Sequence, residues 1–369
     1  MKIGIVWLPN VGKSTLFNAL TKSYAADAAN FPFCTIEPNV WVVEVKDERV
    51  DRLAEVSKSK NKVYATIKYV DIAWLVKGAH KWEGLGNQFL SNIREVDAIV
   101  QVVRYFKNKD VVHVEWEVNP LRDIEIINSE LIFADLEQIE SKLPLLEKKA
   151  KSWDKDAKVL YQVLKKLYDA LNEGKLIYDI SDQLTDEEKK LIKSYNFLTN
   201  KPFVYAINVW EEDLCNWKQI KEEFEKKLKK PVAIVCAKLE ADMLDLSEEE
   251  KKEYLEEIKS TCDNKIEKIP TLDDLIKLSF DTVWLMYFFT SGEKETKAWT
   301  IKKWSTAPQA AWVIHSDFER GFIKAEVVNW KDFVEVGWWS KAREKGLVRM
   351  EGKDYIVQDG DVILFRFNV

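Results

Sequence analysis

Lys2-Ile3-Gly4-Ile5-Val6-Trp7-Leu8-Pro9-Asn10-Val11-Gly12-Lys13-Ser14-Thr15 is the stretch on which the fold turns. Lys2 to Val6 is a short apolar run ending in a turn, which predicts a buried strand. From Ser14 the pattern changes, and Leu16, Phe17 and Leu20 share one face of a predicted helix. A strand, a tight loop and a helix opening on Gly-Lys-Ser read as a phosphate-binding loop. There, backbone N–H groups and the helix N-terminus surround phosphate, the lysine reaches the β and γ oxygens, and the serine hydroxyl binds Mg²⁺. Asn10, Val11, Gly12, Lys13, Ser14 and Thr15 are the candidate phosphate-binding residues, and Lys13 is also a candidate catalytic residue. The full pattern asks for glycine at position 7, and the chain has Trp7. A chance Gly-Lys-Ser at a helix start is the competing reading, and the strand–turn–helix order argues against it.

Working outward, further strands are expected at 40–45, 67–70, 98–103, 203–207 and 232–235, mostly with helical patterns between them. That alternation predicts an α/β fold with a mainly parallel sheet. It breaks between about 124 and 200. Leu136, Ile139, Leu143 and Leu146 step by three and four residues, with Pro144 inside, and Leu160, Leu164, Leu167 and Leu171 do the same. A helical insertion is expected there, either an antiparallel coiled-coil arm or a helical lid on the sheet. The charged stretch 246–259 reads as a helix with a solvated face. From about 279 the texture becomes β-like, with runs at 298–301, 322–328, 355–357 and 362–367. The expected organisation is a nucleotide-binding domain over 1–278 and a small β-grasp-like domain over 279–369.

Other candidate residues follow from position. Asp71 ends an apolar strand, where a carboxylate opposite a phosphate loop suits a water ligand of Mg²⁺. Thr35 lies in Phe31-Pro32-Phe33-Cys34-Thr35-Ile36, a loop able to close on Mg²⁺ and the γ-phosphate. Ser14, Thr35 and Asp71 are thus the candidate metal residues. Asn208-Val209-Trp210-Glu211 follows the strand at 203–207, where guanine-selective proteins place Asn-Lys-x-Asp. Val209 for lysine and the longer Glu211 for aspartate remove the usual guanine clamp and tilt the reading toward ATP. Asn208 and Glu211 are expected to read the base, flanked by Cys236-Ala237-Lys238. Leu75 stands where related enzymes use a water-orienting glutamine, so turnover should be slow. His113, then His80, are the imidazoles available to orient water. Beyond the site, Lys302, Lys303, His315, Asp317, Arg320 and Lys324 read as either a solvated surface or an RNA or protein contact face.

Composition sets limits. The chain has 369 residues, 56 Lys+Arg against 62 Asp+Glu, and a net charge of −6, which disfavours wholesale wrapping of nucleic acid. No apolar run is long enough to cross a membrane, and no signal peptide precedes the first motif. Cys34, Cys215, Cys236 and Cys262 form no Cys-x-x-Cys pair, which disfavours a disulfide scaffold or zinc ribbon and makes the cytoplasm the expected compartment.

The ordered motifs resemble the YchF-type, Obg-related P-loop NTPases over nearly the whole chain. The carrying segments are Leu8–Thr21, Asn30–Val40, Val70–Ala73, Lys77–Val100 and Asn208–Asp213. At the C-terminal end they are joined by Ala298–Ala311, Ile314–Val327 and Glu351–Phe367. The resemblance implies a coiled-coil insertion, a C-terminal TGS domain and Mg²⁺-dependent hydrolysis of ATP in preference to GTP. It also implies a ribosome, RNA or protein partner reached through the TGS domain and the arm. A GTPase of the same fold is the nearest alternative.

The departures share one form. Where that family carries glycine, this chain has Trp7, Trp41, Trp74, Trp82, Trp304 and Trp312, with Trp116, Trp153, Trp210, Trp330 and Trp338 or Trp339 as further suspects; the family's own tryptophan is Trp299. Glycine numbers only 12 and tryptophan 15. Either the tryptophans are a misassignment, or they are genuine, crowd the phosphate site and leave a nucleotide-blocked interaction scaffold. An intact mass separates the two.

Overall fold

The computed structural model describes residues 1–24, 40–72, 85–106, 118–152, 154–262 and 266–368. Along the chain come β1 (Lys2–Trp7), α1 (Lys13–Tyr24), β2 (Val40–Val45), α2 (Glu48–Ser57), β3 (Asn61–Val63), β4 (Ala65–Asp71), α3 (Leu85–Arg94) and β5 (Ala98–Arg104). A helical stretch follows, with α4 (Pro120–Glu140), α5 (Leu143–Lys151), α6 (Lys155–Asn172) and α7 (Asp186–Ile192). Next are β6 (Phe203–Asn208), α8 (Trp217–Leu228), β7 (Val232–Val235), α9 (Ala237–Asp242), α10 (Glu248–Ser260) and α11 (Leu272–Thr282). The chain ends with β8 (Leu285–Ser291), β9 (Glu295–Lys302), α12 (Ala307–Ile314), α13 (Ser316–Arg320), β10 (Phe322–Asn329), α14 (Trp330–Val336), α15 (Trp339–Glu344), β11 (Arg349–Glu351) and β12 (Asp361–Phe367).

These elements form two compact units, one containing Met1–Ser23 and Tyr69–Leu275, the other Val42–Lys68 and Ile276–Val369. The first sheet has strand order β2-β4-β1-β5-β6-β7. β1, β5, β6 and β7 run parallel, so the loops after β1, β5 and β6 leave the same edge. All seven residues of β5 and all six of β6 are buried, the continuous burial of strands covered on both faces, with Gln101, Arg104 and Asn208 as their buried polar members. The α/β class expected from the alternation is what the chain adopts.

The region expected as a helical insertion is helical, but Pro144 starts a helix instead of sitting inside one. α4 ends at Glu140, and α5 begins at Leu143 with the proline in its first turn. Proline is tolerated there because the first-turn N–H groups have no helical partner. Asp154 caps α6 by accepting from the Ala157 N–H at 3.0 Å. α6 buries Leu164, Leu167 and Leu171 of the stripe read from the sequence, with Val163 in place of the half-buried Leu160, whereas α5 buries none of its residues. Inside the first unit, Asp135 of α4 is fully buried and accepts from the Leu198 N–H (3.0 Å), the Thr199 N–H (2.8 Å) and the Thr199 hydroxyl (2.7 Å). Burial holds its carboxyl above the ordinary range, against the pull of those three donors.

In the second unit the strand order is β11-β10-β12-β8-β9-β3. β12 and β8 pair in parallel at the centre, flanked by the antiparallel pairs β10–β12 and β8–β9. Helix α12 connects β9 to β10 and buries Ala307, Ala310 and Ala311 against Met286, Phe288, Ile301, Phe322, Ala325 and Phe365. This is the β-grasp-like arrangement expected of the C-terminal region.

The second unit also includes a segment far upstream. β3 adds to β9 in parallel through Asn61, Lys62 and Val63. In α2, Arg49 binds Asp47 at 2.7 Å and Asp359 at 2.6 Å. Burial opposes the Arg49 charge, but the hydrogen bonds to the two carboxylates outweigh it and hold the guanidinium protonated. A single cut near 279 therefore does not describe the packing, because Val42–Lys68 is woven into the C-terminal sheet.

One cysteine expectation is corrected. Cys215 and Cys262 are joined in a disulfide across a sequence separation of 47. Cys236 is free and buried. Their spacing resembles no motif, because the fold, not the local sequence, brings the end of α10 to the turn after β6.

Candidate nucleotide site

The loop between β1 and α1 turns through two left-handed residues, Asn10 (φ 63°) and Gly12 (φ 88°). Asparagine tolerates this region better than most residues, and glycine has no penalty there. Gly12 is also closely approached. A Cβ on it would lie 2.4 Å from Asn208 Nδ2. The Leu16 N–H donates to the Gly12 carbonyl at 3.0 Å, starting the helix at the loop.

This loop faces a cavity of about 690 Å³. Asn10, Gly12, Lys13, Ser14 and Thr15 line it, together with Asn208, Val209, Ala237 and Lys238 from the turns after β6 and β7. The sequence-predicted phosphate loop and base-side turns therefore meet at one site. Val11, Glu211 and Cys236 are not among the residues that line it.

Asn208 ties the two parts together. Its side-chain amide donates to the Val11 carbonyl at 2.8 Å and its oxygen accepts from the Ala237 N–H at 3.1 Å. It is buried. The sequence reading had Asn208 contacting the base; the structure shows its side chain bridging the backbones of two loops.

Lys13 Nζ lies 2.7 Å from Asp71 Oδ2. The other oxygen of Asp71 is buried and has no hydrogen-bond partner among the described residues. A buried carboxylate oxygen left without a donor suits a metal-bound water, so the residues present fit a hydrated Mg²⁺. Lys238 pairs with Glu211 at 3.3 Å, and the Glu211 hydrogen bond raises the ammonium pKa above its usual value. Cys236 precedes α9, and burial pushes its thiol up to about 11, so it stays neutral.

Three residues of the site, Phe106, Trp210 and Arg104, were not singled out as site residues from sequence. Phe106 and Trp210 line the cavity with their ring centroids 5.4 Å apart. Arg104, fully buried at the end of β5, donates to the Asn10 carbonyl at 3.3 Å and to the Phe106 carbonyl at 3.1 Å. A charged residue closing an apolar strand was the available signal. Trp7 also lines the cavity, with its ring centroid 4.2 Å from Lys13 Nζ. Thr35, Leu75, His80 and His113, with Trp74, Trp82, Trp116 and Trp153, lie outside the described residues.

Residues 2–132 match the family model described as "50S ribosome-binding GTPase", and residues 285–368 match the YchF GTPase C-terminal model, described as a protein of unknown function. The chain is 47% identical to "Ribosome-binding ATPase YchF" of Bacillus subtilis, over 99% of each chain. The chain belongs to the YchF family of P-loop nucleoside triphosphatases. The YchF protein of Escherichia coli O157:H7 is 48% identical, covering all of this chain and 99% of its own. Obg-like ATPase 1 of Danio rerio is 45% identical, with 92% of its length covered. The YchF GTPase of Schizosaccharomyces pombe superposes with a TM-score of 0.86 at 35% identity, over 99% of this chain and 97% of that one. A GTP-binding protein of Pyrococcus horikoshii shares the fold at a TM-score of 0.60 and 19% identity. Among the described residues no helix is long and apolar enough to cross a membrane.

Proposed function

We propose that this YchF-family chain hydrolyses ATP in preference to GTP, with Mg²⁺, and uses its nucleotide state to switch a contact with the ribosome. What carries the proposal is one cavity lined both by Gly12, Lys13, Ser14 and Thr15 and by Asn208, Val209, Ala237 and Lys238. A nucleoside triphosphate has a phosphate end and a base end, and the cavity has residues suited to each.

In this reading Lys13 and the loop amides of Asn10–Gly12 bind phosphate. Ser14, Thr35 and Asp71 hold Mg²⁺ directly or through water, and the ion supplies charge neutralisation on the β and γ oxygens. Asn208 positions the loops, and Glu211 and Lys238 read the base, with Cys236 and Ala237 shaping that wall. Val209 lines the cavity where a guanine-reading lysine would stand. Glu211, turned to Lys238, is the acceptor available to an adenine amino group. His113 orients the attacking water.

The nucleotide-binding role is assigned to 1–278, and 279–369 is read as a TGS-like domain that, with the helical arm at 124–200, meets the ribosome or another RNA or protein partner. Relatives named as ribosome-binding support that partner and a cytoplasmic location. Steady-state hydrolysis tests the reading: ATP turnover exceeds GTP turnover, K13A abolishes both, and H113A lowers turnover with ATP affinity nearly unchanged. Equal or faster GTP turnover overturns the base preference.

A further inference from the structure

We propose that the working protein carries glycine, not tryptophan, at positions 7, 284 and 304. Three separate physical rules converge on these positions.

Trp284 follows helix α11, which ends at Thr282, and stands two residues beyond it with φ 58°. Helices often end with a left-handed residue at this place, and it is usually glycine. A left-handed glycine also ends α14, where Gly337 (φ 84°) follows directly on Val336. Yet the Trp284 indole is 59% exposed, and its position at the cap gives it no core to fill.

Trp304 is the third residue of the turn Lys302–Ser305, in which the Ser305 N–H donates to the Lys302 carbonyl at 3.2 Å. Its φ is 72°, while Lys303 is not among the positive-φ residues. That is the geometry of a turn whose third residue must be left-handed, a place taken by glycine or asparagine. Trp304 is 78% exposed. A bulky side chain at positive φ is an outlier in any protein. Among the described residues, two of the six non-glycine residues at positive φ are tryptophans.

Trp7 occupies the first glycine of the phosphate-loop pattern, and its ring sits against Lys13 Nζ, the group that must reach phosphate. Glycine at 7 leaves the backbone of β1 free to approach a ligand and removes the indole from the cavity wall.

Composition agrees. Twelve glycines in 369 residues fall well below the usual share of about 7%, and the fifteen tryptophans are enough to cover the shortfall. Trp299 is the contrasting case. Its Nε1 donates to Thr290 Oγ1 at 2.9 Å and its ring receives Lys297 Nζ at 3.9 Å. This indole is hydrogen-bonded within its sheet, and position 299 is assigned as tryptophan.

Only the argument at position 7 rests on the nucleotide-site reading; those at 284 and 304 rest on backbone geometry alone. The deciding experiment is peptide mass sequencing of the protein purified from the organism that encodes it. The proposal expects glycine at 7, 284 and 304 and tryptophan at 299, each exchanged site being lighter by about 0.13 kDa, an indolylmethyl group replaced by hydrogen. Tryptophan at 284 and 304 overturns it, whether or not the protein binds nucleotide. As a second readout, W284G and W304G made in the recombinant tryptophan-bearing chain each raise the unfolding midpoint by about 2 °C or more. Unchanged or lowered midpoints for both count against it.

Discussion

Asn208 lies against Gly12 so closely that a single added carbon on Gly12 would come within 2.4 Å of the Asn208 amide nitrogen. The same amide donates to the Val11 carbonyl, and its oxygen accepts from Ala237. One buried side chain thereby fixes the distance between the phosphate loop and the turn after β7. Removing it leaves a buried carbonyl and a buried N–H without partners, costing about 1–3 kcal/mol. N208A should lower stability by that amount and weaken ATP binding about tenfold or more. G12A should abolish binding, since the side chain meets both a positive φ and Asn208. Chemical denaturation and nucleotide titration check both.

Asp71 holds Lys13 with one oxygen, and its other oxygen has no donor among the described residues. If that oxygen serves a hydrated Mg²⁺, D71N should weaken the Mg²⁺ dependence of nucleotide binding by about 10- to 100-fold. Binding measured in EDTA should change far less. An equal loss with and without Mg²⁺ would assign Asp71 to lysine positioning alone.

Glu240 gives a pH signature. It is buried in α9, accepts from the Leu272 N–H at 2.7 Å, and burial pushes its carboxyl up to about 7. The folded state therefore holds a proton that the unfolded chain releases near the ordinary glutamate value. A raised folded-state pKa contributes stability below that ordinary value, and the contribution is lost as pH rises through about 7. Stability should fall between pH 5 and 8, by up to about 3 kcal/mol. E240Q keeps the acceptor and should flatten the profile. Denaturant midpoints at several pH values test this.

The Cys215–Cys262 bond closes a loop in the first unit. Reduction, or C215S, should lower the stability of that unit by about 2–4 kcal/mol. Melting with and without dithiothreitol measures it. The bond also starts just beyond Glu211, so a loss of ATP affinity on reduction should accompany the loss of stability.

The parts legible from sequence were those coded over short spans. Gly12-Lys13-Ser14 after an apolar run placed the phosphate loop, short apolar runs placed the strands, and leucines spaced by three and four residues placed α6. What was not legible depends on distant partners. β3 has only three residues, two of them exposed, so nothing local marks Asn61–Val63 as a strand; it exists because β9 offers an edge. Arg49 and Asp359 are 310 residues apart. Asn208 was read as a base contact because its place after β6 says where it is, not which way its two polar atoms are spent. The tryptophans broke the local rules for loops and caps; the motif marked Trp7 from sequence, whereas Trp284 is marked only by its backbone angle.

The most direct measurement is a titration with fluorescent ATP and GTP analogues in Mg²⁺ buffer, on the protein and on W7G beside it. The account predicts saturable binding with ATP tighter than GTP, and tighter still once the indole is removed from Lys13. Tighter GTP binding would contradict the role given to Val209 and Glu211. No binding of either nucleotide by folded W7G would contradict the nucleotide site itself.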